Sequence, residues 1–223
     1  MNHFSTDIKA DFPIFNSSDL IYLDNASTTQ KPSKVLKEID SFYKETNANV
    51  HRAIYSIGNE ATRRFESARE KVAKFINAPS SKEIVFTSGA TESINLLARS
   101  LVSNLEPGDE ILLSAMEHHS NIVPWQMMAE KFKVKIKYLP INKIGELDLN
   151  NSEQYFTSRT KIVSITHISN VLGTINPIED LAKMAHKVGA LFISDGAQGV
   201  PHMQVDVAKL GCDFYAFSGH KML

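Results

Sequence analysis

The 223-residue sequence contains one cysteine, Cys212, so it can form no internal disulfide and no multi-cysteine zinc site. That usage suits a reducing cytoplasm. No apolar run approaches the roughly 20 residues needed to span a bilayer. The first fifteen residues, MNHFSTDIKADFPIF, carry acids and lack the apolar core of a signal peptide. A soluble protein without a membrane partner is predicted. Neither sign of charge dominates: the formal net charge is −1 and charged residues make up 22%, which argues against nucleic acid as a partner. There is no G-x-G-x-x-G and no Walker pattern, so dinucleotide and ATP binding lack their usual loops. Internal repeats, low-complexity runs and linkers are absent as well.

What is present reads as an ordinary globular balance, 43% hydrophobic, long enough for one sizeable domain. Residues 1–20 read as a short amphipathic lead-in, and 21–223 as one domain. Ile21-Tyr22-Leu23 is predicted as a short strand, and Pro32 as the opening of a helix carrying Val35, Leu36, Ile39 and Phe42 at helical spacing. A polar loop with His51 and Arg52 precedes a helix over 59–76. Strands are predicted over 83–86, 110–113, 134–139, 161–165, 191–193 and 214–217. Helices follow Thr91, Pro124 and Pro177, the last capped by Gly189. Strands alternating with helices imply an α/β fold with a mainly parallel sheet.

The strand ends carry the chemistry. In open α/β sheets ligands collect at the carboxyl ends of strands. The aromatic run Phe214 to Phe217 ends in Ser218-Gly219-His220-Lys221, and Leu191-Phe192-Ile193 ends in Ser194-Asp195-Gly196-Ala197-Gln198. A lysine amine and an aspartate on neighbouring strand ends suit pyridoxal phosphate: the amine forms a Schiff base with the aldehyde, and the carboxylate keeps the pyridine nitrogen protonated. Gly89-Ala90-Thr91, between a strand and a helix, offers N–H groups and a hydroxyl to a phosphate, although Thr91 could equally be a plain helix cap. His118 could stack on a flat ring or serve only as a hydrogen-bonded structural histidine. Adjacent to His119, with no further ligand at helical spacing, it does not make a metal site. Gln198 could donate to a phenolate oxygen, and Asn170 ends another strand on the same rim. Cys212 reads as a buried structural thiol.

Seven stretches carry a resemblance: YLDNASTTQKP (22–32), NVHRA (49–53), FTSGATESINLLA (86–98), GDEILLSAMEHHSNIVPWQ (108–126), THISNVLGTINP (166–177), DGAQGVPHMQVDV (195–207) and CDFYAFSGHKML (212–223). On these the chain resembles the PLP-dependent cysteine desulfurases of the class V aminotransferases, most of all the SUF-type enzymes. The resemblance implies the large domain of a fold-type I PLP transferase, a mainly parallel seven-stranded sheet with helices on both faces. It implies Lys221 as the Schiff-base lysine and proton carrier, and His118 on the ring with a part in acid–base steps. Asp195 would sit at the pyridine nitrogen and Gln198 at the phenolic oxygen. Ala90, Thr91, Ser218 and His220 would hold the phosphate, with Asn170 and His51 near the substrate. The implied reaction takes sulfur from L-cysteine to leave L-alanine, in a cytoplasmic homodimer that passes a persulfide to a SUF-type acceptor for iron–sulfur cluster assembly.

The pattern departs in places. After His51-Arg52 the SUF-type glycine and second histidine are replaced by Ala53 and Tyr55, and Ala90 stands where many members have threonine. The family's nucleophilic cysteine and substrate-carboxylate arginine lie C-terminal to its lysine, so the chain reads as a large domain lacking the C-terminal small domain. Little or no activity alone, poor stability and aggregation are the expectation. Selenocysteine lyase or kynureninase chemistry, and a non-catalytic gene remnant that holds cofactor weakly, are the alternatives.

Overall fold

The computed structural model describes residues 8–16 and 19–222. The rest of the expected lead-in (1–7, 17 and 18) and Leu223 lie outside the described residues. Contacts divide the chain into two units, one formed by residues 1–75, 80–84 and 220–223, the other by 76–79 and 85–219.

The second unit is built on five parallel strands: β1 (Glu110–Ser114), β2 (Lys135–Leu139), β3 (Thr160–Thr166), β4 (Leu191–Asp195) and β5 (Phe214–Ala216), in the order β2-β1-β3-β4-β5. Successive side chains of a strand face opposite ways, and both faces here are apolar. Leu112, Leu139, Val163, Ile165 and Phe192 pack on one side with Ile178, Leu181, Ala182 and Ala185 of the helix Ile178–Lys187. Ile111, Leu113, Ile162, Ile193 and Ala216 pack on the other with Ala90, Ile94 and Ala98 of the helix Ala90–Val102, and with Trp125 and Ala129 of the helix Val123–Phe132. Each fully buried Leu, Ile or Phe contributes roughly 1.5–3 kcal/mol, so the two clusters hold most of the apolar stabilisation of this unit.

Chain punctuation works as expected at several helix ends. Pro177 precedes Ile178–Lys187, which Gly189 closes at φ 76°. Two short helices, Gly199–His202 and Val207–Leu210, were not predicted; at four residues each they are too brief to show a hydrophobic period.

The first unit carries helices Ser33–Ser41 and Ser56–Phe75, the former running on into a wider π-type turn, Phe42–Thr46. In chain order the helices are therefore α1 (Ser33–Ser41), α2 (Ser56–Phe75), α3 (Ala90–Val102), α4 (Val123–Phe132), α5 (Ile178–Lys187), α6 (Gly199–His202) and α7 (Val207–Leu210). Arg64 of α2 bonds Glu38 and, at 2.6 Å, the Thr46 hydroxyl, which ties α2 to the end of α1. Core is sparse in this unit. Leu36 and Ile39, the expected apolar stripe of α1, are 44% and 51% exposed.

The α/β architecture, parallel sheet and helices on both faces match expectation, but five strands form among the described residues where the resemblance implies seven. Residues 21–23 and 83–86, predicted as strands, are not part of the sheet. The Ile84 carbonyl is taken by the Arg69 guanidinium instead of a neighbouring strand. Ile21 and Leu23 are 78% and 88% exposed, so neither has a sheet face to bury against.

Candidate functional site

In the second unit the predicted residues line the carboxyl rim of the sheet. Asp195 ends β4 and is buried at 3% exposure. Its Oδ1 accepts from the Ala197 amide at 3.0 Å, which bends the chain away from the strand. Two-residue alternation puts Asp195 on the face of Ile193 and Ala216, the face that α3 covers. Gln198 is buried in the turn that follows, its Oε1 3.1 Å from His202 Nε2.

The next strand over supplies Ser218, also buried, whose Oγ accepts from the Ala90 amide at 2.9 Å. The cap of α3 is Gly89, at φ 142° and with no side-chain bond, so the alternative of Thr91 as the helix cap does not hold. Thr91 lies exposed in the first turn, where N–H groups lack intrahelical acceptors. A Cβ on Gly89 would meet Ser218 Oγ at 3.2 Å. Hydroxyls of Ser218 and Thr91 beside a helix N-terminus form a donor set that fits a phosphate.

His118 follows β1 and is exposed. Its Nδ1 accepts from the Ser120 amide at 3.2 Å and lies 2.7 Å from Ser120 Oγ, so the neutral ring carries its proton on Nε2. Asn170, beyond β3, is exposed in a hairpin closed by the Ile168–Ile175 bridge. Among the described residues, no group of three or more His, Cys, Asp or Glu could hold a metal ion.

Two features of this rim escaped the sequence reading. Glu117, between β1 and His118, is buried and accepts from Ser114 Oγ, from the Thr166 amide at 2.9 Å and from Asn121 Nδ2 at 2.7 Å. Asn121 Oδ1 is occupied by Trp125 Nε1 and Ser164 Oγ, which fixes the amide so that its NH2 faces Glu117. Burial pushes the Glu117 carboxyl up to about 7 against the pull of those three donors, and the Asp195 charge adds to the rise. The second feature is Tyr215, whose hydroxyl is 2.7 Å from His167 Nδ1 and whose ring lies across the 196–199 turn. Burial raises the Tyr215 phenol and lowers His167, so both stay neutral. The one available signal was the spacing of Gly196 and Gly199, where a Cβ would approach Tyr215 to 2.0 and 2.4 Å.

In the first unit, Lys221 is half-buried in the 3-10 turn Gly219–Lys221, and the preceding carbonyl, that of His220, accepts from the Thr29 amide at 2.9 Å. Burial, then the Lys221 and Lys31 charges, hold the His220 imidazole below its ordinary value. His51, at φ 74°, donates its amide to Thr62 Oγ1 at 2.8 Å, and its Nε2 lies 2.7 Å from Glu66 Oε1. Back in the second unit, Cys212 packs half-buried against the α5 cluster, and burial pushes its thiol up to about 12. The expected burial is only partial, since Cys212 is half-buried at the edge of that cluster.

No helix among the described residues is long and apolar enough to cross a membrane. The sequence matches the aminotransferase class-V family over residues 21–223, through both units. It is 50% identical over 221 residues to a probable cysteine desulfurase of Halalkalibacterium halodurans, covering 97% of this chain and 54% of that protein. A probable cysteine desulfurase of Vibrio cholerae is 51% identical over 220 residues, with 96% and 54% covered. The apo structure of the cysteine desulfurase from Thermococcus onnurineus NA1 superposes with a TM-score of 0.92 at 40% identity, covering 100% of this chain and 55% of that one. The chain thus spans about half the length of the curated relatives it matches. With the family matched over more than nine-tenths of its residues, this chain belongs to the class V aminotransferases.

Proposed function

We propose that this chain is the cofactor-binding part of a pyridoxal-phosphate-dependent cysteine desulfurase that takes L-cysteine to L-alanine and passes the sulfur on as a persulfide. The observation that carries the reading is the pairing of two neighbouring strand ends: Ser218 bonded to the first amide of α3, and Asp195 buried on the same sheet face. The names of the relatives supply the reaction class.

The cofactor, when bound, supplies an electron sink for charge developing at the substrate Cα. Ser218 Oγ, already an acceptor from Ala90 N–H, has its own proton free to donate to a phosphate oxygen, and Thr91 and His220 are assigned to the same phosphate. Asp195, ionised, would hold a proton on the ring nitrogen, and Gln198 would donate to the phenolic oxygen. His118, held at Nδ1 by Ser120, has Nε2–H left for the acid–base role assigned to it and would serve there if the cofactor were bound. Lys221 would hold the cofactor aldehyde and later carry the proton at Cα. Asn170 and His51 are assigned to the substrate side. Cys212 is not the sulfur acceptor, since a thiol pushed up to about 12 is a poor nucleophile. A homodimer, a SUF-type acceptor protein and a cytoplasmic setting belong to the same proposal.

The test is incubation with pyridoxal phosphate, borohydride reduction and mass mapping of the label. Label concentrated on Lys221, and its loss in Asp195→Ala, is expected; label scattered over surface lysines would overturn the assignment. Turnover of cysteine, selenocysteine and kynurenine by a polypeptide containing this chain would separate the desulfurase from its sister activities.

A further inference from the structure

The peptide that joins His220 to Lys221 is held by its oxygen. Four donors of the segment 28–31 reach that one carbonyl: the Thr29 amide at 2.9 Å, Thr29 Oγ1 at 3.1 Å, Lys31 Nζ at 3.1 Å and Thr28 Oγ1 at 3.2 Å. A carbonyl oxygen has two lone pairs, so the hydroxyls compete for what the amide and the ammonium leave. Thr28 has a second contact to hold it, His220 Nδ1 at 3.1 Å. Lys31 is itself fixed: its ammonium also donates to the Thr29 carbonyl at 2.8 Å, and its side chain is half-buried. An ammonium on a carbonyl is a charge-assisted bond, roughly twice as strong as a neutral one. Nothing about a lone lysine at a helix entrance requires this arrangement, since a solvated lysine is the ordinary state.

We propose that Lys31 is a positioning residue for Lys221: by clamping the His220 carbonyl it stops the 220–221 peptide from rotating and fixes where the Lys221 side chain sets out. The inference rests on the reading of Lys221 as the cofactor lysine. A covalent bond to a bound aldehyde needs the amine within a few tenths of an ångström of one place, and a freely rotating peptide would spread it over many. The clamp comes from residues about 190 positions away in sequence, so the lysine is placed by a long-range contact and not by its own turn alone.

The experiment compares the unaltered chain with Lys31→Met, Lys31→Arg and Thr29→Val, each saturated with pyridoxal phosphate and reduced with borohydride. Label at Lys221 is quantified by mass spectrometry, and amide exchange at Thr29 is followed without cofactor. Expected is a fall in Lys221 label of at least about fivefold in Lys31→Met, with faster exchange at Thr29. Lys31→Arg restores the label, and Thr29→Val, which keeps the amide donor, loses little. Equal labelling of Lys221 in the unaltered chain and in Lys31→Met overturns the positioning role while leaving the cofactor reading intact. No label on Lys221 in the unaltered chain overturns the cofactor reading, and this inference with it.

Discussion

Ser218 Oγ accepts the Ala90 amide proton at 2.9 Å across 128 positions of sequence. The bond joins the exit of β5 to the entrance of α3, so the end of that strand and the glycine-capped helix start are one structure. It also orients the Ser218 hydroxyl with its proton directed elsewhere. A site that uses that proton for an anion inherits its geometry from the sheet.

Gly89→Ala is expected to weaken both the fold and cofactor binding. The residue sits at φ 142°, a region that L side chains rarely adopt, and its new Cβ would press on Ser218 Oγ at 3.2 Å. Strain of this kind costs of order 1–3 kcal/mol. Thermal unfolding and spectroscopic titration with pyridoxal phosphate check it; an unchanged midpoint together with unchanged affinity would contradict it.

Glu117 sets a pH dependence with a definite sign. Its folded carboxyl titrates near 7 instead of about 4.5, so between those values the native state holds a proton that the unfolded chain has released. Stability from this group is complete below about pH 4.5 and falls as pH rises through 7. The full loss approaches ~3 kcal/mol. Glu117→Gln should remove that slope while lowering stability at pH 5, because its NH2 meets the Asn121 donor. Denaturant melts followed by the single, buried Trp125 measure both effects.

The two close glycines under Tyr215 should respond differently to a smaller ring. In Gly199→Ala the nearest obstacle is the phenol oxygen at 2.4 Å, so Tyr215→Phe should recover part of the loss. In Gly196→Ala the Cβ meets ring carbons at 2.0 and 2.2 Å, which phenylalanine keeps, so the same second change should give no relief. Double-mutant melts decide it.

Leu181→Ala removes a fully buried side chain of the α5 cluster and should cost about 2–5 kcal/mol. Cofactor labelling of the surviving folded fraction should be unchanged, since Leu181 packs on the face opposite to that of Asp195.

Cys212 should react slowly with a maleimide at pH 8 and quickly once the chain is unfolded, because burial holds the thiol near 12. Rapid native labelling would contradict that burial.

Much of this was legible in the sequence where one element speaks for itself. The helix between Pro177 and Gly189 announced both ends, and four of the strands ran close to their predicted bounds. Residues 83–86 misled because an apolar run looks like a strand whether or not a neighbour is there to pair with it. The rim residues Asp195, Gln198 and Ser218 could be picked by their position after apolar runs. Glu117 could not: a carboxylate beside two histidines reads as exposed, and only Ser114, Asn121 and Thr166 from three other places make its burial tolerable. The hold of Lys31 on His220 was hidden for the same reason, as nothing local to either residue points to the other.

The strand order β2-β1-β3-β4-β5 reverses direction between β1 and β3, with α4 leaving on one side and α5 on the other. Open sheets of this kind part there into a crevice that commonly receives a ligand. In this chain the Glu117 carboxylate bridges the parting, reaching from the end of β1 to the Thr166 amide of β3. The chain thus ties its own switch point together with one of its own acids.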